Sequence, residues 1–210
     1  MREARTRAAL TVGLVLMLAA CKSTAFESTW KAPDATSLKG TGQGQKIIAI
    51  VMSKNEGTRR ASEDALAREL TKRGAIGVAL YSITPAGSVA DEASARAAVE
   101  KAGAVGVVVL RPIAQQDKVY TTPVTYAGPG YSSFWGGYWG YGWGAPWGTV
   151  TGGEMRTDFI IIIETLVYSM KQNKLMWVGQ SKTTNPDNVD ALVKDIVSAV
   201  VVEMKKQNLL

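Results

Sequence analysis

The sequence contains no histidine. Imidazole is the commonest general base near neutral pH and the commonest metal ligand, so its absence removes every catalytic triad that depends on it. Cysteine is almost as scarce: Cys21 is the single example in 210 residues, which excludes an intramolecular disulfide framework. The apolar run from Ala8 to Cys21 is 14 residues long, short of the roughly 20 that a helix needs to cross a hydrocarbon core of about 30 Å. Charge is missing altogether between Val119 and Gly153. What these gaps leave to an enzyme is a carboxylate pair, a serine with a lysine, or an oxygen-ligated metal, and no group of acids has metal-ligand spacing.

The amino terminus, MREARTRAALTVGLVLMLAAC, places Arg2, Arg5 and Arg7 before an uncharged apolar stretch that ends in small residues. That order is a secretory signal. Its last four residues, Leu18-Ala19-Ala20-Cys21, resemble the bacterial lipobox. The resemblance implies diacylglyceryl transfer to the Cys21 sulfur, cleavage after Ala20 and fatty acylation of the new amine. Two or three acyl chains meet the requirement for stable anchoring, because each buried methylene contributes about 0.8 kcal/mol and one chain alone holds only reversibly. Lys22 stands where an aspartate would favour inner-membrane retention in enterobacteria, so the lipobox rule implies a periplasm-facing site on the outer membrane. Loss of the signal lowers the formal net charge from +6 to +4. No nucleic-acid partner is expected, and no cofactor beyond the lipid on Cys21.

Within the mature chain, residues 21–45 read as a polar, lipidated tether, although the alternation of Phe26, Ser28 and Trp30 also suits a short strand. A single α/β domain is expected over 46–210. KIIAIVM (46–52) suits a buried strand, residues 58–73 a helix closed by Gly74, residues 75–83 a second strand, 91–102 a helix closed by Gly103, and 104–113 a third strand. In the first of these helices Ala61, Ala65, Leu66 and Leu70 are assigned to one apolar side. Alternating strands and helices imply right-handed crossovers and parallel pairing. Residues 154–170 and 174–184 flank the polar turn Lys171-Gln172-Asn173 and predict an antiparallel hairpin. Asn185 and Pro186 then suit the start of a last helix, with Val189, Leu192, Val193, Ile196 and Val200 at helical spacing and Lys205 and Lys206 near its negative end. The expected fold is a mixed sheet packed by about three helices, with an insertion over 114–153.

The stretches RRASEDALARELTKRG and FIIIIETLVYSMKQNKLMWVGQSKT resemble uncharacterised periplasmic lipoproteins of bacteria. More distantly, the order of elements is similar to the amino-terminal domain of the Tol-Pal translocation protein, the curli secretion lipoprotein, and lipoprotein activators of penicillin-binding proteins. These resemblances imply a binding role and carry no common chemistry.

Among candidate catalytic groups, Glu164 follows four isoleucines in a strand. Burial would raise its pKa and suit acid or base work, whereas polar Arg156 and Asp158 on the same strand parity point to solvent or a salt bridge. Asp187 and Asp190 suit helix-start carboxylates. The loop SKNEGTRR carries Lys54, Gly57, Arg59 and Arg60 near a helix start and could take an anion, but it lacks the phosphate-loop order, and Arg59 is spaced to pair with Glu63.

The distinctive segment is Tyr126 to Gly148, with eight glycines and nine aromatics in 23 residues. Glycine and proline at this density oppose a continuous helix or central strand. Tyr131, Phe134, Trp135, Tyr138, Trp139, Tyr141, Trp143 and Trp147 are the candidate binding residues. Aromatic faces of this kind stack on sugars, settle at lipid headgroups, seat partner proteins, or fold back as a satellite core. The sequence therefore describes a non-enzymatic, membrane-anchored envelope lipoprotein presenting an aromatic loop to an envelope protein, to peptidoglycan or another polysaccharide, or to a membrane. The alternatives are an oligomeric secretion or pore-associated lipoprotein and a carboxylate-dependent envelope hydrolase using Glu164.

Overall fold

The computed structural model describes residues 24–35, 43–85, 91–116 and 159–209. Cys21, the signal and the eight candidate aromatic residues lie outside them.

The chain forms a mixed α/β fold. Six strands, β1 (Thr24–Lys31), β2 (Lys46–Val51), β3 (Ile76–Ala79), β4 (Gly106–Gln116), β5 (Ile160–Ser169) and β6 (Lys174–Thr184), make one sheet in the order β1-β6-β5-β4-β2-β3. The β3, β2 and β4 neighbours are parallel and the rest antiparallel. The described helices are α1 (Glu56–Lys72), the single turn α2 (Leu80–Ile83), α3 (Glu92–Ala102) and α4 (Val189–Lys206).

Alternation along the strands sorts the core into two layers. Ile48, Ile50, Val107, Val109 and Leu166 meet Ala95 and Val99 of α3 on one face. Ala49, Val51, Leu110, Ile163 and Trp177 meet α1 and α4 on the other. Covering the parallel strands on both faces is what a right-handed strand–helix–strand path requires. Trp177 is fully buried, packs edge-on to Phe26 with ring centroids 5.5 Å apart, and donates from Nε1 to Gln207 Oε1 at 3.2 Å.

Several local expectations are corrected. Of the segment expected as a tether, residues 24–31 form the strand that the alternation of Phe26, Ser28 and Trp30 suited, β1, paired along β6. The second strand stops at Ala79 and gives way to α2 rather than continuing to Ile83. There the Tyr81 N–H donates to Glu63 Oε2 at 2.9 Å, and the hydroxyls of Ser82 and Thr84 turn back onto the carbonyls of Ala79 and Leu80, which competes with a strand ladder.

α1 starts at Glu56 rather than Thr58, because Asn55 caps it: its side chain accepts from the Thr58 N–H at 2.8 Å. Ala61 is exposed, because the buried stripe of α1 runs through Ser62, Ala65, Leu66 and Glu69 instead. The last helix is capped by Asn188 rather than Asn185. Asn185 takes a left-handed φ of 48° and exchanges hydrogen bonds of 2.7 and 2.8 Å with the Phe159 backbone, which ends β6 before α4 can begin. Ala114 and Gln116, expected in the insertion, belong to β4.

Candidate functional site

Three features at one end of the sheet or on its α3 face bear on function. The first is a polar row. Arg111, Glu164, Gln180 and Ser28 sit opposite one another on four adjacent strands, β4, β5, β6 and β1. Strand parity puts Arg111 and Glu164 on the same face as Val107, Val109 and Leu166. The Arg111 Nε donates to Glu164 Oε2 at 3.1 Å, and both residues are only 3% exposed. Ser28 Oγ donates to Gln180 Oε1 at 3.5 Å. Glu164 is thus in a salt bridge, as its polar strand-mates suggested, but the partner is Arg111 on the neighbouring strand. Its cross-strand neighbours include no second carboxylate, which a hydrolytic acid pair needs.

The second feature was not singled out in the sequence. Glu63 of α1 is fully buried where β2 and β3 end. Its Oε2 accepts from the Tyr81 N–H at 2.9 Å, and its Oε1 accepts from the Val51 N–H at 3.4 Å and faces Arg59 Nη1 at 3.5 Å. Burial pushes its carboxyl up to about 7, against the pull of these donors. The Arg59–Glu63 pairing expected from helical spacing is therefore present. Arg60 pairs with Glu56 and lies over the Tyr81 ring at 5.3 Å. The arginines of the SKNEGTRR loop are engaged by carboxylates of their own helix.

The third feature is a lateral row of backbone pairings, Thr24 to Thr183, Thr183 to Ile161 and Ile161 to Gln115. Thr24 and Thr183 also join through their hydroxyls at 2.7 Å. With strands about 4.8 Å apart, Thr24 and Gln115 stand roughly 14 Å from each other. Gln116 pairs with Ile160, so the chain leaves for the aromatic segment and returns from it at adjacent strand ends. Thr24 is three residues after Cys21. The sheet thereby brings Thr24 and both roots of the insertion, Gln116 and Ile160, to one end.

Of the helix-start carboxylates, Asp190 lies in the first turn of α4 and pairs with Arg68 at 2.7 Å, while Asp187 precedes the helix. Lys205 and Lys206 occupy the last turn of α4. Among the described residues, no three His, Cys, Asp or Glu side chains come together to hold a metal ion, and no helix is long and apolar enough to cross a membrane.

No family model matches the chain, and no curated relative matches it. Among solved structures it is similar to the PelC dodecamer from Paraburkholderia phytofirmans, at 10% identity and a TM-score of 0.43, over 84% of this chain and 94% of that one. A second crystal form of that dodecamer, carrying a single substitution, gives 12% identity and a TM-score of 0.42 over 82% and 94% of the respective chains.

Proposed function

We propose that the chain is a non-enzymatic outer-membrane lipoprotein, held by acyl chains on Cys21, whose aromatic segment settles at the headgroups of the membrane that anchors it. The observation that carries this reading is the pairing row from Thr24 through Thr183 and Ile161 to Gln115. Because β1 begins at Thr24, only three peptide steps, through Lys22 and Ser23, lead from Cys21 to the sheet. Fully extended, they span about 10 Å. A lipid on Cys21 therefore holds this end of the sheet near the bilayer, and both roots of the insertion leave from the same end.

The composition of the insertion suits that position. Trp135, Trp139, Trp143 and Trp147 lie in a stretch without charge from Val119 to Gly153. Tryptophan and tyrosine are enriched at the interface between hydrocarbon and water, where ring and polar tip are both satisfied. The short link to β1 favours the membrane over a distant glycan or protein, which a long tether would have served.

The test is fluorescence of the acylated protein reconstituted into vesicles whose phospholipids carry brominated acyl chains. Emission from the insertion tryptophans should be quenched by the bromines and shielded from iodide. Trp30 and Trp177 supply the background, measured in a variant with the four insertion tryptophans replaced by serine. Quenching by iodide alone would remove the membrane reading, and a spectral shift on adding muropeptides instead would favour a glycan.

A further inference from the structure

At the opposite end of the sheet, the layer formed by α1 and α4 does not close onto the strands. A cavity of about 490 Å³ remains between them. Its walls include Leu110, Val167, Met176, Val200 and Met204. Gly106 of β4 presents no side chain to it. Several wall residues, among them Ile47, Leu70, Val108, Val167 and Val201, are only half-buried, so apolar surface is left wet inside the fold. A space of this size with few polar groups is the form of a small-molecule site.

The polar groups are not distributed evenly. Lys205 and Arg73 line the cavity, and no carboxylate does. Arg73 is held by Glu69 at 2.5 Å and by Ser198 at 3.0 Å. The exposed Lys205 makes no ion pair among the described residues, so its ammonium is available to an incoming anion. Deep in the space, Thr165 is 1% exposed and its Oγ1 has no hydrogen-bond partner among the described residues. The lining runs along β5 from Ser169 inward to Thr165, which is roughly 13 Å of strand. That depth exceeds what a side chain of a docking protein reaches and suits a slender, flexible chain.

We infer that this cavity binds one acyl chain of an amphiphile whose anionic head pairs with Lys205 at the mouth. The occupant is a separate molecule. The chain joins Cys21 to the sheet at its Thr24 end, whereas the cavity lies toward Ser169, and Ile161 and Ser169 at the two ends of β5 are about 27 Å apart. The inference stands apart from the membrane reading of the aromatic segment, because it is measured without a bilayer.

The experiment uses residues 21–210 with Cys21→Ser, which keeps every described strand and helix, and cis-parinaric acid as a fluorescent probe below its micellar concentration. Saturable, one-to-one enhancement is expected. Displacement by palmitate alone assigns the site to free fatty acids, and displacement by lysophosphatidylglycerol as well extends it to single-chain phospholipids; either supports the inference. Val201→Trp and Val108→Phe each fill the cavity and should weaken binding at least about tenfold with the fold retained. Lys205→Glu, a surface change that leaves the core intact, should weaken palmitate several-fold and leave lauryl alcohol unaffected. Absence of saturable binding, undiminished binding in a folded cavity-filled variant, or indifference of palmitate to Lys205→Glu overturns the inference.

Discussion

The guanidinium of Arg111 meets the carboxylate of Glu164 at 3.1 Å across β4 and β5, with both side chains almost fully withdrawn from solvent. A buried ion pair repays its desolvation only while both charges are present. Arg111→Leu is therefore expected to destabilise the domain by about 3–5 kcal/mol, since it strands the Glu164 charge. The double variant Arg111→Leu/Glu164→Leu should recover much of that loss. Urea unfolding of the three proteins checks this, and a double variant as unstable as the single one would mean that the pair does not act as a unit. Glu164→Gln, which keeps the shape and an acceptor, should cost less than Arg111→Leu and remove no hydrolytic activity toward peptidoglycan fragments or simple esters.

Glu63 sets a pH dependence of definite sign. Its folded pKa of about 7 lies above the ordinary 4.5 because burial penalises the charged form. Between those values the folded state binds more protons than the unfolded one, so stability is fullest below about pH 4.5 and declines as pH rises through about 7. Glu63→Gln should flatten that decline and leave the variant more tolerant of alkaline conditions relative to its own acid stability. Melting temperatures measured from pH 5 to 8.5 decide the matter; parallel curves for the two proteins would place the pH dependence elsewhere.

Gly77 is required by a close approach. A Cβ built there would fall 2.1 Å from the backbone carbonyl oxygen of Ala67, so α1 lies against β3 at glycine distance. Gly77→Ala should force the helix outward and cost on the order of 1–3 kcal/mol, as overpacking does. Gly103 is the control. It has open space around its missing Cβ but a φ of 64°, so Gly103→Ala should cost only about 1 kcal/mol of backbone strain. Denaturant midpoints for both variants test the ordering.

Much of this architecture was legible because it is written in local pattern. The run KIIAIV, the helix closed by Gly74, and the Lys171-Gln172-Asn173 turn each combine periodicity with a terminating residue, and apart from the helix's earlier start each lies where pattern puts it. The misreadings share a different cause. Ile83 and Ala61 are placed by tertiary contacts: a backbone N–H claimed by Glu63 ends β3 early, and the sheet selects a stripe of α1 that contains two glutamates. Propensity cannot report such contacts.

The candidate site was less legible. Arg111 stands two residues beyond Val109 on an apolar strand, which in retrospect is the parity of a buried partner for Glu164. Glu63 gave no such sign, because SEDALARELTKR reads as an ordinary charged helix and only the topology carries its carboxyl beneath β2 and β3. The cavity was invisible for the same reason, since each wall residue is a plausible core residue and only the spacing of the layers leaves it unfilled. The aromatic candidates and Cys21 lie outside the described residues, and their roles rest on sequence and on where their neighbours emerge.

The proposed lipid anchor makes a direct prediction. Cys21→Ser should leave residues 1–20 uncleaved by the lipoprotein signal peptidase and shift the protein out of the outer-membrane fraction, because the described residues supply no membrane-spanning helix. Fractionation together with intact-mass measurement reads both effects. A Cys21→Ser protein that matures normally and still sediments with the outer membrane would sink the lipoprotein assignment.

The pairing of Gln116 with Ile160 bears on the insertion itself. Opposed residues on antiparallel strands have Cα atoms about 5 Å apart, so the insertion's roots are already joined by the sheet and shortening what lies between them adds no strain. Loop-closure entropy changes only slowly with length, and the glycines of Tyr126 to Gly148 make that stretch costly to order. Replacing residues 126–148 with a short glycine-serine linker should therefore leave a cooperative domain with unchanged far-ultraviolet circular dichroism and a melting temperature within a few degrees of the parent. The same replacement should abolish quenching by brominated lipid while acylation at Cys21 and outer-membrane fractionation persist, which separates anchoring from headgroup contact. If the domain instead loses cooperativity, the aromatic residues are part of its core, and their membrane role falls with that result.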